Sequence, residues 1–568
     1  MQYKLIETKN NTKGQISGFY GLNRTEKGEY NEFSDMLNMS SDCFPCLAPA
    51  KTIQNVLTQD NIRAVISPKY TNDDEIKAFT GVAGTSFYYN GKEIPFESED
   101  MSITEGISVT LVDFNGRIVI CAYDDRNGKS IMYYYGYTAT DENKVKRMEK
   151  GAYGIICTAY SSGNPDRDAS VTNYLTATGV DWTEYFSVGD AVYIDGFKNE
   201  KNNTIDLDSR YKNVSKDRAI SCIVEKVTSS KLYLQLYNYL HTPLVLEKEK
   251  AENVNIYIKI PTMNHICIHN NRLWGTNPNG EYLYASKQGD CFNFNTFQGL
   301  ANDSFYCEVG TAGGFVGIVS YRDNLVAFKR DCIHHIYGDK PSNFTMPKQL
   351  SDCGCIDIRS ALQIGTALYF LGYGGFYKYV GGQPELISRK LNKKYKSAVA
   401  TTDGQKYIVS AKCSENDGGG ELLVYDTQYG LWYKETYIDY VGSFRWHNRV
   451  YVADKKSIFE YGACTPQSWE CKSTVIYDDM FDNKGMTELW IRAKISDGAR
   501  IDVYTSEDGG DFLKRGTLNG KGTLKVYRIP IRFINGEYYQ YRLDGYGSAV
   551  IYDIERVISS GGRGYRKG

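Results

Sequence analysis

The chain has 568 residues, enough for about three to five domain-sized units with their own cores. This excludes a small scaffold held by disulfides. Lys and Arg (66) nearly cancel Asp and Glu (68), which excludes a polycation that wraps nucleic acid and a strongly acidic solvating chain; a charge-driven partner must be met locally.

Hydrophobic residues at 42%, with 48 Tyr and 54 Gly against 13 Pro and 10 Met, describe β-type usage and exclude disorder as the main state. The opening stretch MQYKLIETKNNTKG lacks the apolar core of a secretory signal, and no 18-residue apolar run occurs, so the reading is a chain without a membrane anchor, not exported by that route. The 14 cysteines follow no regular spacing and many fall in apolar runs, where reduced thiols act as small core hydrophobes.

Helical periodicity is almost absent. Short apolar or alternating runs bounded by Gly, Asn and Asp recur instead, the pattern of strands joined by tight turns. One phrase repeats: a turn residue, three to five apolar residues, then Gly or Ala. A weak copy is Gly84-Thr-Ser-Phe-Tyr-Tyr-Asn90, followed by Gly116-Arg-Ile-Val-Ile-Cys-Ala122. The next copies are Asn271-Arg-Leu-Trp-Gly275, Asp323-Asn-Leu-Val-Ala-Phe328 and Thr366-Ala-Leu-Tyr-Phe-Leu-Gly372. Gln405-Lys-Tyr-Ile-Val-Ser-Ala411 and Asn448-Arg-Val-Tyr-Val-Ala-Asp454 complete the set. From Asn271 onward the phrase restarts after about 40 to 50 residues, the length of a four-stranded propeller blade. The later copies are followed by a second strand ending in an aromatic, at Tyr337, Tyr379, Tyr425 and Tyr461.

These elements predict an all-β chain: a β-propeller of about seven blades, with a small β-barrel inserted and a β-sandwich at the C-terminus. Residues 1–150 hold an N-terminal strand and the first blades. Residues 151–258 are the inserted barrel, since the gap between the copies at Arg117 and Arg272 exceeds one blade. Residues 259–465 are the remaining blades, closed by a strand borrowed from the opposite terminus. Residues 466–568, with long alternating runs such as Glu488-Leu-Trp-Ile-Arg-Ala-Lys-Ile495, read as the sandwich.

Candidate chemistry is sparse. His265, Cys267 and His269 alternate on one strand face, but the two histidines sit roughly 13 Å apart along a flat strand, too far to share a metal whose donors lie near 2 Å. Cys43-Phe-Pro-Cys46 has zinc-type or redox-type spacing, and Cys353-Gly-Cys355 could complete four thiolates; nothing in the sequence brings the pairs together. His334 and His335 point to opposite strand faces. Gly516-Thr-Leu-Asn-Gly-Lys-Gly522 misses the phosphate-loop spacing. Thr505-Ser-Glu-Asp-Gly-Gly-Asp-Phe512 resembles the Asp-box turn of sialidase-like propellers, a hairpin device rather than an active site. Two carboxylates for glycoside hydrolysis cannot be picked from 68 acidic residues. The basic tail Arg563-Gly-Tyr-Arg-Lys-Gly568 reads as a loose or interface-ordered end. No catalytic, cofactor or metal residue is nominated, and the chain reads as not an enzyme.

Phe19-Tyr-Gly-Leu-Asn23, Gly28-Glu-Tyr30, Phe33-Ser-Asp-Met-Leu-Asn-Met39 and Cys46-Leu-Ala-Pro49 resemble the opening of structural proteins of tailed bacteriophages. Asn271–Gly275, Leu283-Tyr-Ala-Ser286, Asp290-Cys-Phe-Asn-Phe294, Val326-Ala-Phe-Lys329, Ile336-Tyr-Gly338 and Lys340-Pro-Ser-Asn-Phe344 are similar to the propeller core of the same group, the tail nozzle and tail-stabilisation type. The resemblance covers about two thirds of the chain and leaves out the insertion.

It implies a virion protein, a nozzle, ring or adaptor subunit of the tail. Such a subunit forms a ring of identical copies, touches other tail or portal-proximal proteins, meets DNA only as passing cargo, and is made in the bacterial host cytoplasm. The alternative is a glycan-binding or glycan-depolymerising propeller protein of the tail, motivated by the tyrosines and acidic turns.

Overall fold

A computed structural model of the chain describes residues 11–68, 76–99, 101–138, 143–162, 172–204, 218–238, 240, 242–277, 282–347, 353–414, 419–464, 468–477, 484–531 and 536–560. The first ten residues and the basic tail at 563–568 lie outside them. The described residues carry strands and a few single-turn 3-10 segments; among them no helix is long and apolar enough to cross a membrane.

The fold is all-β and of the β-propeller class. Seven antiparallel sheets of blade type follow one another among the described residues. The first is Ile62–Val65, Gly81–Ala83, Ser86–Tyr89 and Lys92–Ile94, and the second Ser108–Phe114, Arg117–Asp124, Lys129–Gly136 and Val145–Arg147. The third is His265–His269, Arg272–Thr276, Tyr282–Ala285 and Phe305–Glu308; the fourth has three strands, Phe315–Tyr321, Asn324–Lys329 and Ile333–Ile336. The fifth is Leu362–Ile364, Ala367–Gly372, Gly375–Tyr379 and Glu385–Leu386, and the sixth Tyr395–Thr402, Lys406–Cys413, Gly420–Asp426 and Leu431–Glu435. The seventh takes Gly442–Trp446, Arg449–Ala453 and Ser457–Cys464 and borrows its fourth strand, Thr52–Thr58, from the N-terminal segment.

The repeated phrase marks the second strand of sheets two to seven. These strands are buried on both faces: all five residues of Arg272–Thr276 and all six of Ala367–Gly372 are buried. A strand covered on both sides needs a continuous apolar run, which is why the phrase is legible in the sequence. The weak copy at Gly84–Asn90 is the exception. It falls on the third strand of its sheet, Ser86–Tyr89, because the second strand, Gly81–Ala83, is only three residues long.

Compact packing divides the chain into two units, Met1–Ala83, Tyr89–Lys92 and Cys353–Gly568 in one, Gly84–Tyr88 and Glu93–Asp352 in the other. These limits differ from the boundaries at 150, 258 and 465 read from spacing.

In the second of these units, the segment from Gly151 to Tyr257 forms a seven-stranded sheet whose strands alternate buried and solvent-facing residues, as in Leu232–Tyr237. Its two ends meet: Ala191 pairs with Ile223, and Val192 N donates to Cys222 O at 2.8 Å. The sheet thus closes on itself as a small barrel around Trp182, Leu175, Ile194, Leu234 and Ile256.

In the first unit, two sheets pack face to face. One orders Asn11–Ser17, Ala549–Ser560, Lys484–Ile495 and Leu524–Pro530; the other orders Phe33–Leu37, Ser468–Ser473, Tyr539–Tyr546, Arg500–Glu507 and Leu513–Asn519. Leu489, Ile491 and Ile554 of the first meet Ile501, Val503 and Tyr541 of the second in one core. Each sheet takes a strand from the N-terminal segment. Asn11 pairs with Ser559 and Phe33 with Ser473, so the sandwich is not confined to 466–568.

The same segment ties the sandwich to the sixth sheet. Arg24 donates both terminal nitrogens to the Glu421 carboxylate at 2.9 Å and Leu22 N donates to Trp432 O at 2.7 Å, while Lys390, in the turn Arg389–Leu391 that leads into the sheet, donates to Glu32 at 2.6 Å. Lys393 and the Tyr395 hydroxyl also reach Glu421, each at 2.9 Å. Burial opposes the charge on Glu421, but these four donors outweigh it and hold the carboxyl at about 2.

Candidate functional site

The sixth and seventh sheets and residues 40–51 line an open cavity of about 250 Å³. Its walls carry Asp42, Asp403, Lys406, Glu435, Arg449, Glu460 and Tyr461. Most are placed by an element end, while Glu460 and Tyr461 lie within the strand Ser457–Cys464. Asp403 sits in the turn after Tyr395–Thr402, where its Oδ1 accepts from the backbone N–H groups of Gln405 (2.9 Å) and Lys406 (2.8 Å). Lys406 opens the next strand and reaches across to donate to Asp42 and, at 3.4 Å, to Ser40 Oγ. Asn38 holds this part of the N-terminal segment in place: its N–H donates to Lys434 O and its Oδ1 accepts from Thr436 N, both at 2.9 Å.

Glu435 ends the strand Leu431–Glu435 and is 6% exposed. Burial is the largest influence on it and favours the neutral acid. Asp42 and Asp403 push the same way, while a hydrogen bond from Tyr461 Oη at 2.8 Å and the charge of Lys406 oppose, leaving the carboxyl at about 7. Burial raises Asp42 too, but Lys406 outweighs it and holds that carboxyl below its ordinary value. Arg449 and Glu460 form an ion pair at 3.1 Å on another wall.

Two carboxyls of one cavity are therefore driven apart: one stays ionised beside an ammonium, the other keeps its proton near neutral pH. Such a pair suits proton donation to an oxygen of a bound molecule, with the ionised group left to stabilise positive charge. No spacing rule reaches this site. Its walls join the N-terminal stretch 40–51 to residues 403–462, more than 350 residues on, and the signal in the sequence is a lone Glu closing a strand.

The groups singled out by sequence fall elsewhere. His265–His269 is the first strand of the third sheet; His269 Nδ1 lies 2.9 Å from Ser320 Oγ on the adjacent sheet, and burial pushes the Cys267 thiol to about 12. Cys43 and Cys46 occupy a turn closed by Cys46 N donating to Cys43 O at 2.8 Å; Cys355 is buried and donates to Asp357 O at 3.2 Å. Among the described residues no group of three or more His, Cys, Asp or Glu side chains is placed to hold a metal ion. His334, held at about 4 by burial, packs against Thr311 and Cys332. Residues 516–519 of the phosphate-loop near-miss lie in the strand Leu513–Asn519. In the Asp-box-like turn, Ser506 Oγ donates to Gly510 O at 2.5 Å and Asp508 Oδ1 accepts from the N–H of Glu537 at 2.8 Å, which fastens the hairpin to the next segment.

No family model and no curated protein matches the chain. Among solved structures, it is similar to an exo-beta-1,3-galactanase from Phanerochaete chrysosporium with galactose, at 9% identity over 84% of this chain and 99% of that one, TM-score 0.17. It is also similar to a glycoside hydrolase family 43 arabinoxylan arabinofuranohydrolase from Bacillus subtilis, at 10% identity over 81% and 80%, TM-score 0.15. A third is the extracellular domain of the one component system BT4673 from B. thetaiotaomicron, at 9% identity over 90% and 88%, TM-score 0.20.

At these identities the likeness is one of fold. The expectation that the chain is not an enzyme does not stand on the cavity's own chemistry, which holds one carboxyl protonated near neutral pH and another ionised. That reading rested on the lack of a legible active site, and a cavity that joins residues 40–51 to residues 403–462 leaves no motif to read.

Proposed function

We propose that the chain is a structural subunit of a tailed-bacteriophage virion, of the tail nozzle, ring or adaptor kind, repeated around a channel against portal-proximal or other tail proteins, with DNA as passing cargo. The observation that carries this reading is the path of the N-terminal segment. It adds a strand to each sandwich sheet, pairs with the seventh blade-type sheet, and is clamped to the sixth by Arg24 and Glu32. A load-bearing subunit gains from such stitching, because the sandwich and blades of this unit cannot separate without breaking pairings made by one continuous segment. The resembling stretches at 19–49 and 271–344 supply buried blade and sandwich residues, in keeping with a role in shape. Sizing the purified protein and imaging particles labelled for it tests the reading. Oligomeric rings and label at the tail are expected; a strict monomer absent from particles overturns it.

A second reading, a glycan-binding or glycan-depolymerising tail protein, is favoured by one observation: the Glu435 carboxyl held near 7 beside Asp42, Asp403 and Lys406 in an open cavity. Incubation with host surface polysaccharide separates the two. Shortened chains that persist with wild type and vanish with Glu435→Gln support glycan cleavage; no binding and no shortening removes it.

A further inference from the structure

The inserted barrel carries an unusual outer face. Lys226, Tyr233, Tyr174 and Tyr160 are direct cross-strand neighbours on four adjacent strands. The three rings form a continuous row, Tyr160 to Tyr174 at 5.1 Å and Tyr174 to Tyr233 at 5.7 Å between centroids. An ammonium stands over each ring: Lys231 over Tyr174 at 4.5 Å, Lys226 over Tyr233 at 5.6 Å and Lys248 over Tyr160 at 5.8 Å. Cation–π contact fixes flexible lysine tips at set positions.

The carboxylates that could neutralise them are engaged elsewhere. Lys201 holds Glu247 at 3.0 Å, and Glu249 accepts from Lys198 N at 2.8 Å and Asn202 Nδ2 at 2.9 Å. Glu225 falls at the register break between Val224 and Lys226. The strip therefore offers three ammoniums without a carboxylate partner and three phenol hydroxyls without a protein hydrogen-bond partner among the described residues.

We propose that this strip binds the phosphate backbone of a nucleic acid. Its chemistry is mostly that of donors, at intervals of one strand, on an aromatic row, which is the combination that phosphodiester oxygens and bases meet on single-strand-binding surfaces. A neutral glycan has no use for the ammoniums. With a near-zero net charge on the whole chain, a polyanion must be met by a local basic feature, and this strip is one. The inference goes beyond the proposed virion role and does not depend on the Glu435 cavity.

Anisotropy of a fluorescein-labelled 20-nucleotide DNA, single-stranded and duplex, titrated with the full chain at several salt concentrations, tests it. The triple variant Lys226→Gln, Lys231→Gln, Lys248→Gln changes exposed tips and leaves the barrel core intact, which circular dichroism verifies. Binding that weakens at least tenfold in the variant, with the salt slope smaller by about 2 to 3, is expected from roughly 0.7 to 0.9 per phosphate contact. The stronger of the two DNA arms identifies the form bound. An unchanged slope, no DNA binding at low salt, or binding of heparin alone overturns the proposal.

Discussion

Glu421→Gln offers a quantitative test of the N-terminal clamp. In the wild type, the carboxylate is 11% exposed and accepts from Arg24, itself 13% exposed, from Lys393 and from Tyr395. Its pKa falls from 4.5 to about 2 on folding. At 1.36 kcal/mol per unit, this shift stabilises the folded state by about 3 kcal/mol at neutral pH. Because the folded value is depressed, the contribution is complete above the unfolded value and is lost as pH falls from about 4.5 toward 2. The variant removes the ionisable group and leaves Arg24 only the more distant Asp35, at 3.7 Å, so its deficit is about 3 kcal/mol at pH 7 and shrinks below pH 4. Urea denaturation followed by tryptophan fluorescence, at pH 7, 4 and 3, measures the gap. Wild type and variant losing stability in parallel between pH 5 and 2 would refute the electrostatic account of the clamp.

Glu435 behaves with the opposite sign. Its folded value of about 7 lies above the ordinary 4.5, so the wild type loses about 3 kcal/mol as pH rises from 4.5 through 7, and Glu435→Gln flattens that part of the stability curve in the same denaturation assay. Gly520→Ala places a Cβ 1.8 Å from the Ser496 carbonyl oxygen, a backbone atom that cannot rotate away, and lowers sandwich stability by about 1 to 3 kcal/mol in thermal unfolding. Trp274→Ala empties a site 1% exposed between the third and fourth sheets and costs about 3 to 5 kcal/mol, read by denaturant unfolding.

Legibility tracked the distance over which each structural cause acts. A blade's second strand is specified locally: a turn residue with positive φ, such as Asn271 at 55°, then a short run dominated by apolar residues, and both signals lie within seven residues. Alternation in Leu232–Tyr237 likewise announces a sheet with one wet face. A borrowed strand, here Thr52–Thr58, was expected, but the N-terminal segment's place in the sandwich was closed to this kind of reading, because Asn11 pairs with Ser559 and Phe33 with Ser473, and register between partners so far apart leaves no periodic trace. The Glu435 cavity was hidden for a related reason. What makes its carboxyl unusual is burial and the charges of Asp42, Asp403 and Lys406, none of which is visible in the strand Leu431–Glu435 itself.

A tail subunit is defined by its presence in the particle. Quantitative mass spectrometry of purified virions, with the portal protein as internal standard, measures it most directly. The account predicts the chain in every preparation at a fixed number of copies per portal ring. Its absence from washed particles, with the protein recovered only from the infected-cell lysate, would contradict it.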